Sequence, residues 1–203
     1  MRIIGGTWRG RRLRVAALPG LRPTADRTRE TLFNWLQPVL PGARCLDLFA
    51  GSGALGFEAA SRGAGRVVLV ERAGAAVRVL RAMIEELAAA DRIEIVQDNA
   101  LRYLKRANGP FDVVFLDPPF AGDLLAPACR LLDTRQLLAP DALVFLETDS
   151  KSGLPALPTD WKPYREQQAG QVQVALMRHQ PARPVPEAPA PGPLKPDSDN
   201  GLM

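Results

Sequence analysis

From residue 43 onward, short apolar runs alternate with longer stretches whose apolar positions recur every three or four residues. The runs predict strands at 43–49, 66–71, 93–97, 111–117 and 142–147. Between them, helices are predicted at 57–62, 73–90, 99–107 and 122–133. The helix over 73–90 places Val77, Leu80, Ile84 and Leu87 on one stripe, as a helix covering a sheet does. Such alternation predicts an α/β fold, a parallel sheet with helices on both faces. Further on, 161–166 and 171–178 predict an antiparallel pair turning near Gly170.

The ends of the chain break this pattern. Residues 1–23 are basic and punctuated by glycine, which predicts short strands or a hairpin, with Trp8 packed in the core or stacked on a base. Thr24 is a candidate N-cap for a helix over 25–36 that Pro38 ends. Leu32, Phe33 and Leu36 form its buried face, leaving Arg27 exposed. Residues 181–203 hold seven prolines and almost no large apolar side chains, which predicts a disordered tail. The expected organisation is a basic extension with its helix over 1–38, an α/β domain over 39–180 and the tail over 181–203. Internal repeats are absent.

Composition narrows the compartment and the chemistry. A chain of 203 residues suits one domain with a full core. No apolar run approaches a bilayer span, and the amino terminus lacks the apolar region of a signal peptide. Cys45 and Cys129 read as free thiols in a reducing cytoplasm. With His179 the single histidine, a His-rich metal site is excluded and a Ser-His-Asp triad disfavoured. No metal-binding constellation is visible.

The net charge of +4 is unevenly spread. Residues 1–35 hold eight arginines against Asp26 and Glu30, a local excess of +6, and the rest of the chain is −2. Arginine contacts phosphate through a planar fork and stacks on bases. Such an arm suits a polyanionic partner, nucleic acid. The candidate RNA contacts are Arg2, Arg9, Arg11, Arg12, Arg22 and Arg27.

Two motifs carry candidate chemistry. The predicted strand Cys45-Leu46-Asp47-Leu48-Phe49-Ala50 leads into Gly51-Ser52-Gly53-Ala54-Leu55-Gly56 and a helix, the strand-turn-helix of a nucleoside-cofactor site. Glu71, twenty positions after Gly51, ends the next strand, where a carboxylate accepts both ribose hydroxyls. These features suit NAD and S-adenosylmethionine alike. Asp47 favours the methyl donor, because a carboxylate there attracts a cationic methionine end and repels a pyrophosphate. Asp117-Pro118-Pro119-Phe120 closes a buried strand with an acid, two prolines and an aromatic. Asp117 and the Pro118 carbonyl can accept hydrogen bonds from a planar exocyclic amine, and Phe120 can stack on its ring. At the end of the strand over 93–97, either Asp98 or Asn99 can reach an adenine, or one of them N-caps the following helix. The full candidate cofactor set is Asp47, Phe49, Gly51, Ser52, Gly53, Glu71, Asp98, Asn99 and Ala100.

Residues 2–180 resemble the bacterial 16S rRNA guanine-N2 methyltransferases of the RsmD type. The likeness rests on Arg2-Ile3-Ile4-Gly5-Gly6, Trp8-Arg9-Gly10-Arg11, Arg22-Pro23-Thr24, Arg29-Glu30-Thr31-Leu32-Phe33-Asn34, the glycine motif from Asp47 to Gly53, and Asp117-Pro118-Pro119-Phe120. It implies a Rossmann-like class I methyltransferase fold with seven strands, mostly parallel, and S-adenosylmethionine as cofactor. It also implies a guanine of 16S rRNA as target, in a partly assembled 30S particle. A monomer without membrane contact is expected. Where this fold often carries Asp before an Ala-Leu pair, Asn99 stands here, with Asp98 one residue earlier. Competing readings are a DNA adenine or cytosine amine methyltransferase, a glutamine methyltransferase, an NAD-dependent oxidoreductase and a non-enzymatic RNA-binding module. The first lacks a target-recognition region, the second has no use for the arginine arm, and the last leaves Asp47, Glu71 and the acid-proline motif unexplained.

Overall fold

The computed structural model describes residues 1–14, 26–119 and 123–181. In chain order the elements are α1 (Asp26–Leu36), β1 (Arg44–Asp47), α2 (Ala54–Ser61), β2 (Arg66–Glu71), α3 (Gly74–Glu86), β3 (Ile93–Gln97), α4 (Ala100–Arg106), β4 (Phe111–Leu116), α5 (Leu125–Thr134), β5 (Leu138–Asp149), β6 (Trp161–Ala169) and β7 (Val172–His179). They build one seven-stranded sheet in the order β3-β2-β1-β4-β5-β7-β6. The first five strands in that order are parallel, and β7 runs antiparallel to β5 and β6. This is the Rossmann-like arrangement expected, with a crossover between the β1–β3 half and the β4–β5 half.

Side chains alternate across the strands and feed two cores. On one face, Val113 and Phe115 join α1, α2 and α3, with the Phe115 ring 5.9 Å from Phe33 and 6.4 Å from Phe145. On the other, Val114 and Leu116 pack with Tyr103, Leu104, Ala128 and Leu132 of α4 and α5. Edge strand β6 presents Arg165, Glu166 and Gln168 to solvent and shifts register between Pro163 and Arg165, two devices that discourage pairing with another chain.

Residues 1–13 form a hairpin. Arg2 bridges Arg12, Ile3 N–H donates to the Arg11 carbonyl at 2.9 Å, and Leu13 N–H donates to that of Met1 at 3.0 Å. Ile3 and Leu13 belong to the same core cluster as Phe33 and Phe115, so the hairpin is a third layer over α2. This explains the composition of α2, Ala-Leu-Gly-Phe-Glu-Ala-Ala-Ser. A helix apolar on every side is stable only when covered on every side, and all eight of its residues are buried. Trp8 packs against this cluster, with the Arg92 guanidinium 4.8 Å above its ring.

Several predicted boundaries move, among them β1, which stops at Asp47 rather than 49, and β6, which runs on to Ala169 rather than 166. The third helix stops at Glu86 rather than 90, because Ala88 adopts φ +48 and the amides of Ala88 and Ala89 bond back to Glu85 and Ile84. The fifth strand starts at Leu138 rather than 142 through an irregular register against Phe111 and Val113, with Asp141 at φ +61. The helix expected at 57–62 begins at Ala54, one residue after Gly53 in its left-handed conformation. The expected cap Thr24 and the tail from 182 lie outside the described residues. None of the described helices is long and apolar enough to cross a membrane.

Candidate active site

Four acids stand at the carboxyl ends of four adjacent strands. In sheet order they are Asp98 after β3, Glu71 on β2, Asp47 on β1 and Asp117 after β4. Neighbouring strands lie about 4.8 Å apart, so the row spans roughly 15 Å. Its last gap, between β1 and β4, is the point where the strand order reverses, the position at which open α/β sheets bind ligands.

The glycine turn lies over β1. Gly51 and Gly53 adopt φ +53 and +75, conformations that L side chains rarely reach. A Cβ on Gly53 would stand 2.7 Å from Phe57 and Leu80 atoms. Gly56 serves helix-strand packing, since a Cβ there would meet Leu69 Cδ2 at 2.2 Å. That close approach lets Gly56 N–H donate to Asp47 Oδ2 at 3.0 Å. Ser52 is buried, and the half-buried Phe49 packs on the α4–α5 side core.

Asp47 is 2 % exposed. Burial raises its pKa to about 7, with Asp117 and Glu71 adding to the rise and the Gly56 amide opposing it. A buried carboxylate beside two others is suited to a cation. Glu71 accepts from Gly51 N–H at 2.9 Å and Ala73 N–H at 2.7 Å, so it braces the turn with both oxygens. Each carboxylate oxygen carries a second lone-pair site for a ribose hydroxyl.

At β3 the two candidates separate. Asn99 Oδ1 N-caps α4, accepting from Leu101 N–H at 3.0 Å and Arg102 N–H at 3.2 Å. Asp98 accepts from the Asn99 N–H and pairs with both Arg102 and Arg106. The Arg106 hydrogen bond is the largest effect holding the Asp98 carboxyl below the usual range, with Arg102 contributing. Both Asp98 oxygens are therefore engaged at α4, and Ala100 is buried. At β4, Asp117 is half-buried, Pro118 buried and Pro119 exposed. Phe120 lies outside the described residues.

The arginines divide into two groups. Arg2 and Arg12 pair across the hairpin, and Arg2 carbonyl accepts from Arg29 Nη2 at 2.9 Å near the start of α1, where Arg27 is exposed. Arg9 and Arg11 stand at the hairpin tip, where Arg11 reaches the Glu86 carbonyl. The tip docks on the last turn of α2, about 10 Å along that helix from the glycine turn. Arg22 lies outside the described residues.

Docking depends on two residues that sequence reasoning missed. Glu58, fully buried in α2, accepts from Ile4 N–H at 2.7 Å, Gly5 N–H at 2.8 Å and Arg62 Nε at 2.7 Å. Ser61 Oγ donates to the Gly5 carbonyl at 2.6 Å and accepts from Trp8 N–H at 2.9 Å. A single acid within an otherwise apolar helix was the available signal.

Comparison with known proteins identifies relatives over most of the chain. A family model described as conserved hypothetical protein 95 matches residues 1–178. Ribosomal RNA small subunit methyltransferase D of Escherichia coli K12 is 47% identical over 182 residues, covering 89% of this chain and 90% of its own. The protein of that name from Haemophilus influenzae is 43% identical, covering 88% and 94%. The solved structure of Escherichia coli yhhF superposes with a TM-score of 0.82 at 44% identity, covering 89% of this chain and 98% of its own. A hypothetical protein of Thermus thermophilus gives 0.72 at 31% identity, covering 87% and 98%.

Proposed function

The chain belongs to the conserved hypothetical protein 95 family, and from that premise we propose that it methylates the exocyclic N2 amine of one guanine in small-subunit ribosomal RNA, using S-adenosylmethionine. The observation that carries this reading is the juxtaposition of Asp47 and Asp117. They end neighbouring strands, Asp47 paired in register with Phe115, two residues before Asp117. A cation-seeking buried acid thus stands beside an acid-proline lip. The name of two relatives, ribosomal RNA small subunit methyltransferase D, supports the same substrate class.

The residues present fit the donor. Asp47 would hold its cationic amino-acid end, the Gly51–Gly53 turn its sugar at backbone distance, and Glu71 the ribose hydroxyls. Adenine would lie toward β3, flanked by Asn99 and Ala100, while Asp98 contributes through its hold on α4. When bound, the donor supplies a methyl group made electrophilic by a positively charged sulfur.

Everything else falls to this chain. The guanine N2 lone pair is delocalised into the ring, which makes the amine a poor nucleophile. Asp117 and the Pro118 carbonyl would accept its two N–H groups, favour a pyramidal nitrogen and aim the lone pair. This is positioning and electrostatics. Phe120 would stack on the base once it has left its own stack. After transfer the nitrogen is strongly acidic, and its proton passes to Asp117 or water. The hairpin arginines would hold phosphates along α2, with Arg2, Arg12 and Arg27 nearest the start of α1. A partly assembled 30S particle as substrate, a monomeric enzyme and a cytoplasmic location complete the proposal.

Mass spectrometry of 16S rRNA from cells with and without this protein tests it. One N2-methylguanosine should be missing from the deletion strain and return with the gene. An unchanged rRNA methylation pattern, or a lost methyl on DNA, would overturn the assignment.

A further inference from the structure

We infer that the flank of the sheet formed by β6 and β7 is a second docking surface for the RNA backbone, separate from the hairpin, an inference that rests on the rRNA reading above. Three cations meet there. Lys162 stands opposite Arg178 in the β6–β7 register, and Arg165 opposite Leu176. The Arg165 and Arg178 guanidinium groups lie 4.5 and 4.2 Å from the centroid of the Tyr164 ring. Among the described residues, none of the three cations forms an ion pair. Lys162 Nζ and Arg165 Nη1 donate to the Thr159 and Tyr164 carbonyls, which leaves their charge uncompensated.

A single extra residue gathers these charges. Strict alternation from Lys162 would put Glu166 on the Lys162 face and Arg165 on the other. The register instead shifts between Pro163 and Arg165, so that Arg165 pairs with Leu176 and Glu166 with Ala175. Leu176 belongs to the core shared with α1, and Ala175 to the core shared with α4 and α5. Arg178 pairs with Leu143, also of the α1-side core. Residues opposite one another on paired strands share a face. Lys162, Tyr164, Arg165 and Arg178 therefore stand together on the α1 side, while the acid of β6 is sent to the other. Re-aiming a side chain in this way is a known use of bulges at functional edges. The ring between two guanidinium groups also restrains both forks before any ligand arrives, which lowers the ordering cost of binding.

Position relates this patch to the candidate active site. Phe115, Phe145, Leu176 and Arg165 occupy one row across β4, β5, β7 and β6. Three strand spacings put Arg165 about 14 Å from Phe115 across the sheet, and Asp117 lies two residues beyond Phe115. Helix α1 covers the interval, with Phe33 packed on Phe115 and Arg27 exposed. On the other side of α1 stands the hairpin, tied to it through Arg29 and the Arg2 carbonyl. The hairpin arginines and the β6–β7 cations thus flank α1 on the same face of the sheet. A polyanion lying across α1 reaches both. RNA fits, because it offers phosphates in series to the cations and bases that stack on guanidinium planes.

The test is filter binding of the full chain to small-subunit rRNA across a salt series. Lys162→Gln combined with Arg165→Gln, both at exposed positions, should lower affinity by about tenfold and flatten the slope of log affinity against log salt by about 1.5. Two added charges decide whether place or net charge matters. Gln167→Lys, in register with Val174 on the α1 side, should tighten binding and steepen the slope by about 1. Glu166→Lys changes the net charge more, but on the opposite face, and should leave affinity within about twofold. Equal effects of Gln167→Lys and Glu166→Lys, or an unchanged slope in the double glutamine variant, would overturn the inference and leave the rRNA reading standing. Wild type that neither binds nor methylates small-subunit rRNA would sink that reading, and this surface with it.

Discussion

Glu58 Oε2 accepts the Ile4 amide at 2.7 Å, joining a fully buried carboxylate in the glycine-turn helix to the arginine-bearing hairpin. The same carboxylate takes Gly5 N–H and Arg62 Nε, so three protein donors compensate its negative charge. Helix α2 thus connects the glycine turn with the layer that carries Arg2, Arg9, Arg11 and Arg12.

Glu58→Ala should undock the hairpin. Removing one member of a buried charged network leaves the Arg62 cation and two amides unpaired, a loss of about 3 kcal/mol. For a domain of this size the melting temperature should fall by roughly 10 °C. Hydrogen exchange of residues 3–8 should rise more than that of β1 and β4. Uniform exchange across both regions would deny the hairpin a separate dependence on Glu58.

Asp47 should make both stability and donor binding depend on pH. Its folded pKa, about 7, lies above the ordinary 3.8. Between those values the folded state holds a proton that the unfolded chain has lost, so this residue's contribution falls as pH rises from 4 to 7. A bound cation favours the ionised form. Donor binding should therefore release a proton near pH 6, and affinity should rise with pH by up to about tenfold per unit until about pH 7. Titrations in buffers of different ionisation enthalpy read this directly, and Asp47→Asn should abolish the proton release.

Asp117→Ala should remove methyl transfer, by at least about a hundredfold as expected for loss of a positioned polar contact, while leaving donor affinity within about threefold. Single-turnover rates alongside calorimetric titration separate the two. Equal losses in both would make Asp117 a cofactor or structural residue.

Reversing Arg9, Arg11 and Arg12 to glutamate should weaken RNA binding and flatten its salt dependence. Three lost phosphate contacts reduce the slope of log affinity against log salt by about 2 to 3. Filter binding across a salt series measures it, and an unchanged slope would take the hairpin tip out of the interface.

Local signals made most of the fold readable. The apolar runs at 66–71 and 93–97 became β2 and β3 without change, and Gly51 and Gly53 required positive φ as their turn implied. Boundaries slipped where the determining contact was remote. The start of β5 depends on its partner Phe111, and the end of α3 on a left-handed Ala88 that no composition rule marks.

By itself, then, the sequence determined the strand and helix alternation, the glycine turn and the acid-proline lip, because each depends on neighbours a few residues away. Only the tertiary structure decided that the basic arm is a docked layer, that Asn99 caps α4 while Asp98 is taken by Arg102 and Arg106, and that Arg29 is buried with donors unspent. Those outcomes turn on pairs such as Glu58 with Ile4, 54 positions apart. Hydrophobic periodicity reports which way a side chain faces. Which charge it meets there is settled only when distant segments pack and water leaves.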